Sequence, residues 1–421
     1  MIFLIAGAYF SIMAMHLLGL IVAKTGCPTS CAKLLAPFGS RAQNAMDIGM
    51  AFYVFGAACA YLIVIGDLMP DACRQMGGSG TITSRYLWVL VGFFVALPLS
   101  IPHNIDFLKV TSSAAVAFLI FVMIIVFLYA LPEEGTGLHA CNGQDLDDNG
   151  TCRGEKKFAD DLDALDVIKA MSIFFFGYGC QVTVFPVCNE MIAPTLKKLD
   201  IVWFSSIGSA LVLYSVVAVC GYATYGDNIR SDLLINYPEN ALLSCARIMI
   251  SSVVALSYPL QINPARRCLM TMFEQIFDGD GQVASAMVKT VRYYGITAVF
   301  LISSLVVGLT VEDLGVVVAI VGATGATLIM FIIPGFCFLY YFPAEDFDSA
   351  KDDFDSALSE SKITSNSNTE RLLGNEAGDA SESADVQFET PNPSINMRFV
   401  AWIQLITGLI FCPLCLVAIF V

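Results

Sequence analysis

The chain has 421 residues, 57% of them apolar and 14% charged, with a formal net charge of −15 and a mean hydropathy of +0.71. Soluble domains carry about a quarter charged residues, so composition excludes a soluble globule and implies a membrane protein with many spans. The acid is concentrated in 133–166 and 345–389, outside the apolar runs, and no basic tract suggests a nucleic-acid partner.

A membrane helix needs about 20 apolar residues. Ten runs approach or reach that length, at about 1–23, 45–67, 86–104, 108–131, 166–188, 200–224, 240–262, 291–309, 312–341 and 397–421. The first is too long and too lightly flanked for the short apolar core of a signal peptide, and it reads as a span. The domain organisation that follows is a bundle of nine spans over 1–341, an extracytosolic loop at 132–165, an acidic loop at 342–396 and a last span at 397–421. Cationic loop residues set orientation. One set of alternate loops holds Lys24, Lys33, Arg41, Lys109, Lys197, Lys198, Arg266, Arg267, Lys289, Arg292, Lys351, Lys362, Arg371 and Arg398. The other holds only Arg74, Arg85, Arg153, Lys156, Lys157 and Arg230. The richer set belongs in the cytosol, so this chain begins and ends on the outer or lumenal side.

The loop 132–165 falls outside by this count. It carries Cys141 and Cys152, with the sequon Asn149-Gly150-Thr151 between them. An oxidising compartment suits a Cys141–Cys152 disulfide and glycosylation at Asn149. Asp145-x-Asp147-x-Asn149-Gly150 opens like a calcium loop, but Lys156 stands where the closing glutamate belongs, so no metal site is expected. Most other cysteines lie in apolar runs and read as small hydrophobes, Cys412 and Cys415 included. The Ser-, Asp- and Glu-rich segment 342–396 lacks the apolar residues to offset its ordering entropy and reads as disordered and cytosolic.

Ionisable residues well inside spans are candidates for function. His16 reads as a hydrogen-bonded neutral imidazole, and Arg247 as a side chain snorkelling to the outer interface. No span carries a proton-relay ladder, paired carboxylates, a zinc-protease motif or a phosphate loop, so enzymatic and ATP-driven readings lack their residues. Uncharged breakers are more informative. Ser172 to Glu190 contains Gly177, Gly179 and Pro186, with Gln181 and Thr183 between them. Ser257 to Pro264 holds two prolines, and Gly315 to Ala326 holds Gly322 and Gly325, which read first as close-packing positions. Unwound turns at membrane depth bind solutes in secondary transporters. Three such stretches with few buried charges suit a zwitterionic solute.

At these residues the chain resembles the amino acid/auxin permease family, nearest its sodium-coupled neutral amino acid transporter branch and the related vacuolar transporters. Cys180-Gln181-…-Pro186-…-Glu190 resembles the family's sixth span, with Gln181 at a position where His is frequent. Gly221-Tyr222-…-Tyr225-Gly226 with Ser231-Asp232-Leu233-Leu234, Ser257-x-Pro259-…-Pro264-x-Arg266 and Val321-Gly322-Ala323-Thr324 resemble later motifs. Leu35-…-Phe38-Gly39, Gly56-Ala57-…-Tyr61-Leu62 and Asp67-Leu68-Met69-Pro70 resemble earlier ones. The resemblance implies an all-α polytopic fold of two inverted five-helix repeats with eleven spans. The ten runs would be its second to eleventh, and a further span is expected before Met1. It also implies secondary transport of small neutral amino acids, with no cofactor beyond Na+ or H+ as coupling ion, and with the solute and membrane lipid as partners. Gly177, Gly179, Cys180, Gln181 and Thr183 would then meet the solute, and Ser257 is the candidate for ion coupling. The alternative reading is a transporter-like sensor that binds amino acids without carrying them.

Overall fold

In a bilayer every backbone N–H and C=O must pair within the chain, and long apolar runs answer that demand as helices. The computed structural model describes residues 1–26, 31–101, 107–131, 140–141, 152–156, 164–192, 194–277, 285–343 and 395–420. Among them all regular structure is helical, and nine helical stretches are long and apolar enough to cross a membrane. The helices are α1 (Ile2–Thr25), α2 (Ser40–Gln75), α3 (Arg85–Ser100), α4 (Phe107–Ala130), α5 (Ala164–Gly177), α6 (Val184–Glu190) and α7 (Leu196–Tyr225). They continue with α8 (Leu233–Asn236), α9 (Ala241–Phe277), α10 (Ala286–Thr310), α11 (Leu314–Val321), α12 (Ile333–Tyr341) and α13 (Ile395–Phe420). The protein is an all-α polytopic membrane protein.

Each of the ten expected runs is helical, but their forms differ from expectation. The run at 86–104 yields only the short apolar α3. The run at 45–67 extends into the 36-residue α2. Ser257 to Pro264 does not break its span: α9 runs unbroken through Pro259 and Pro264. Membrane helices tolerate proline where neighbours satisfy the freed carbonyls, and both Tyr258 and Pro259 are buried against them. Nor is the last breaker stretch unwound. Between α11 and α12 the chain widens into π-helical turns at Gly322–Ala326 and Leu328–Ile332, with Thr327 Oγ1 donating to the Gly322 carbonyl five residues back at 2.9 Å. Gly322 and Gly325 are close-packing positions: a Cβ on Gly322 would collide with the Ser172 carbonyl, and one on Gly325 with Tyr53.

One large core joins α1, α2, the α5–α6 region, α9 and the π-helical stretch, with Leu17, Leu18, Ile21 and Val22 of α1 fully buried. A second, outer core gathers Tyr129, Tyr225, Tyr237, Leu234 and Cys152, the rings of Tyr129 and Tyr225 packing edge-on to Tyr237 at 5.1 and 5.2 Å. Cys141 and Cys152 form a disulfide, Cα atoms 5.4 Å apart. The stretch after it docks on the end of α7: Gly154 N–H donates to Tyr225 O at 2.8 Å and Asp227 N–H to Glu155 O at 3.1 Å. Asn149 and 344–394 lie outside the described residues.

At the opposite end Lys24 Nζ donates to Tyr341 O at 2.7 Å and Arg398 Nη1 to Phe342 O at 2.6 Å. Two cations thus hold the C-terminal carbonyls of α12, where the helix dipole is negative. Lys24 and Arg398 were placed on one side by loop charge, and the fold brings them together there. Arg74 and Arg85 meet Arg247 around a cavity at the other end.

Candidate functional site

The span that begins as α5 stops at Gly177 and resumes with a single 3-10 turn, Gln181–Thr183, that leads into α6. Gly177 and Gly179 flank Tyr178 at the stop. Pro186 sits within the first turn of α6, where its missing N–H has no helical acceptor to lose, so it does not break the helix.

The carbonyls of Gly177, Tyr178 and Gly179 are taken by side chains from other helices. Tyr53 of α2 donates its hydroxyl to Gly179 O at 2.6 Å, with Phe176 O at 3.3 Å. Tyr214 of α7 donates to Gly177 O at 3.2 Å. Ser11 of α1 donates to Tyr178 O at 2.9 Å and accepts from Gln181 Nε2 at 3.0 Å. Thr183 Oγ1 donates to Cys180 O at 2.7 Å, closing the turn on itself. A Cβ at Gly179 would strike the Tyr53 hydroxyl, so glycine is required for the close approach that this bond needs.

Two sets of groups remain unfilled. Gln181 is fully buried, and its Oε1 has no hydrogen-bond partner. The backbone pairs at the break include no N–H from Gln181 or Val182. Gly177 and Thr183 face outward, and Cys180 is half-buried with its Sγ 3.8 Å from Ser11 Oγ. The break is therefore a collar of uncharged groups: hydroxyls, an amide and backbone dipoles. Such a collar can hold a small polar solute without a fixed charge.

Gly177, Gly179, Cys180, Gln181 and Thr183 share this one locus. Ser257 is half-buried on α9, one turn before Gln261, whose Nε2 donates to Tyr61 Oη at 3.1 Å. No hydrogen bond among the described residues joins Ser257 to the break. Sequence reasoning missed Ser11, Tyr53 and Tyr214. The signal available was the hydroxyl itself, since a tyrosine or serine in an apolar run, away from water, seeks an acceptor within the protein.

Toward the outer face a polar cavity of about 660 Å³ is lined by Asp67, Asp71, Arg74, Arg85, Glu239 and Arg247 among others. Arg85 pairs with Asp67 at 3.0 Å, and Arg74 with Asp71 at 3.1 Å and Glu239 at 3.4 Å. Arg247 does not snorkel. It is 1% exposed, and its Nη2 donates to Leu234 O at 3.0 Å and Tyr237 O at 2.7 Å, so it pins α8 down over the bundle. Snorkelling fails because the outer loop folds back over the helix end and supplies acceptors closer than water. Asp232, half-buried, caps α8 by accepting from Leu234 N–H at 3.0 Å. Burial pushes its carboxyl up to about 6, helped by the charges of Asp67 and Asp71 and opposed by the Leu234 N–H and Arg247. His16 has the partner expected of it, Asp200 Oδ1 of α7 at 2.8 Å from Nδ1.

A family model described as transmembrane amino acid transporter protein matches residues 1–351. The chain is similar to vacuolar amino acid transporter 5 of Schizosaccharomyces pombe, 28% identical over 299 residues, covering 70% of this chain and 65% of the relative. It is similar to vacuolar amino acid transporter 6 of Saccharomyces cerevisiae, 26% identical over 334 residues, 69% of this chain and 71% of that protein. Sodium-coupled neutral amino acid transporter 7 of Bos taurus is 29% identical over 307 residues, 70% of this chain and 62% of the bovine one. The match thus spans a little under two thirds of the fission-yeast and bovine relatives. Eighty-odd per cent of the chain lies within the family match, and the protein belongs to the transmembrane amino acid transporter family.

Proposed function

We propose that this protein carries small neutral amino acids across its membrane by secondary active transport, driven by a Na+ or H+ gradient through alternating access. The observation that carries the reading is the break between α5 and α6. Its carbonyls are held by Ser11, Tyr53 and Tyr214 while Gln181 Oε1 is left without a partner. A buried acceptor without a donor costs about 1–3 kcal/mol, and a solute ammonium group would remove that cost. No charged side chain among the described residues contributes to the collar, which favours a zwitterion over a net charge. The names of the relatives, vacuolar and sodium-coupled neutral amino acid transporters, support the same solute class. In this reading Gly177, Gly179, Cys180, Gln181 and Thr183 meet the solute, Ser257 offers a hydroxyl to the coupling ion, and the bundle is built of two inverted repeats.

The test is uptake of radiolabelled neutral amino acids into proteoliposomes, with and without Na+ or pH gradients. Gradient-dependent accumulation is expected. Thr183→Val should slow it about fivefold, the equivalent of one hydrogen bond of about 1 kcal/mol, and Gly179→Leu should abolish it, both at normal surface expression. Saturable binding with no accumulation under either gradient would replace the transporter with the sensor. Normal uptake by both variants would move the site elsewhere.

A further inference from the structure

Asp47 stands two turns into α2 and is 1% exposed. Among the described residues neither carboxylate oxygen has a partner at ordinary hydrogen-bond geometry, and the same holds for the buried Oδ1 of Asn44, three residues earlier on the helix. Three acceptor oxygens therefore share a buried site with no strong donor among the described residues. Across the interface Cys268 of α9, 5% exposed, faces the carboxylate and offers it only a thiol, a weak donor.

The surrounding charges are engaged elsewhere. Arg41 on α2 itself, Lys33 before it, and Arg267 and Glu274 on α9 are exposed. Arg266 donates to Ser100 O at 2.6 Å and stacks on Tyr293 at 4.1 Å. Arg292 of α10 lies over Phe277 at 6.0 Å. The π-helical stretch meets this part of α2 with Leu328, beside Gly49. None of these forms an ion pair with Asp47 among the described residues. An uncompensated buried carboxylate costs several kcal/mol, so such a group is held neutral. Once protonated, Asp47 can donate to Asn44 Oδ1, since side chains three apart on a helix are neighbours. One proton then relieves two of the three orphan acceptors.

We propose that Asp47 and Asn44 form a proton-binding site at the cytosolic end of α2, filled while α2 lies closed against α9. When the two helices part, the carboxyl O–H bond breaks and cytosolic water takes the proton; on closure the carboxylate takes one back. Cytosolic acid therefore favours the closed arrangement, and turnover responds to cytosolic pH. This deepens the transport reading above and rests on it only in the last step.

The full chain in lipid decides the matter in two ways. Infrared spectra taken as the pH falls from 7 to 5 should gain a protonated-carboxyl C=O band that is missing in Asp47→Asn. A spectrum without the band, or one that keeps it in Asp47→Asn, overturns the proposal whether or not the protein transports. In counterflow exchange, wild-type rates should change with internal pH by up to about tenfold per unit, the limit for one proton, and Asp47→Asn should flatten that response. An unchanged pH profile in the variant also overturns it. If wild type exchanges nothing, the transport reading fails and the infrared result still decides the proton site. Should Asp47→Asn not fold, Asn44→Leu serves: losing the acceptor must shift the carboxyl band, and an unshifted band removes Asn44 from the site.

Discussion

Tyr53 shows how much a single hydroxyl can decide in a membrane. It is buried in α2, beyond any water, and its one proton is shared between the carbonyls of Gly179 and Phe176. Tyr53→Phe preserves the ring packing against Phe176 and deletes only that proton, leaving Gly179 O unsatisfied. The expected loss is about 1–3 kcal/mol of stability, seen as a lower thermal midpoint in detergent with the helical circular dichroism unchanged. A midpoint equal to wild type would mean that another donor reaches the carbonyl. Arg247 carries the opposite lesson. Its guanidinium donates to two backbone oxygens, which keeps α8 seated, while Asp71, Glu239 and Asp232 supply the opposing charge without a direct ion pair among the described residues.

The short helix α8 is an element whose stability is tied to pH. The carboxyl of Asp232 titrates at an ordinary value of 3.8 when free and at about 6 in place. The folded state therefore binds more proton between those values, and stability falls as pH rises through that window. Above it the loss is complete; below it the carboxyl is neutral in both states. Asp232→Asn keeps an acceptor for the Leu234 N–H and removes the titration. Its thermal midpoint should vary less than that of wild type between about pH 4 and 6; parallel curves would dismiss Asp232 as the cause.

Element by element, sequence and structure diverge where neighbours decide. The stop at Gly177–Gly179 was legible because two glycines around Tyr178 leave a helix weak whatever surrounds it. The prolines of α9 looked like a second stop, yet burial of Tyr258 and Pro259 holds the helix through them. Gly322 and Gly325 read correctly as packing positions, but the π-helical widening beside them gave no sign in residue order. Thr327, reaching back five residues instead of four, becomes meaningful only with the backbone in view.

For the whole molecule, the length of the apolar runs sufficed to find the membrane fold, and loop charge grouped residues that the structure also brings to one end of the bundle. The Cys141–Cys152 bond and the Lys24–Arg398 cluster now stand at opposite ends of the bundle, as that grouping requires. The partners of the break were not legible. Ser11, Tyr53 and Tyr214 come from three helices far apart in sequence, and only packing brings them to one place.

The cations on α12 have a mechanical meaning. Lys24 ends the first helix of this chain and Arg398 opens the last, and both grip carbonyls at one helix terminus. The first and last described helices are thereby stapled to α12, so rocking is expected to carry α1, α12 and α13 together. Spin labels on α1 and α13 should keep one separation, within roughly the sub-ångström rigidity of a packed interface, with and without solute and gradient. A separation that changes on loading would show that the staple opens in each cycle.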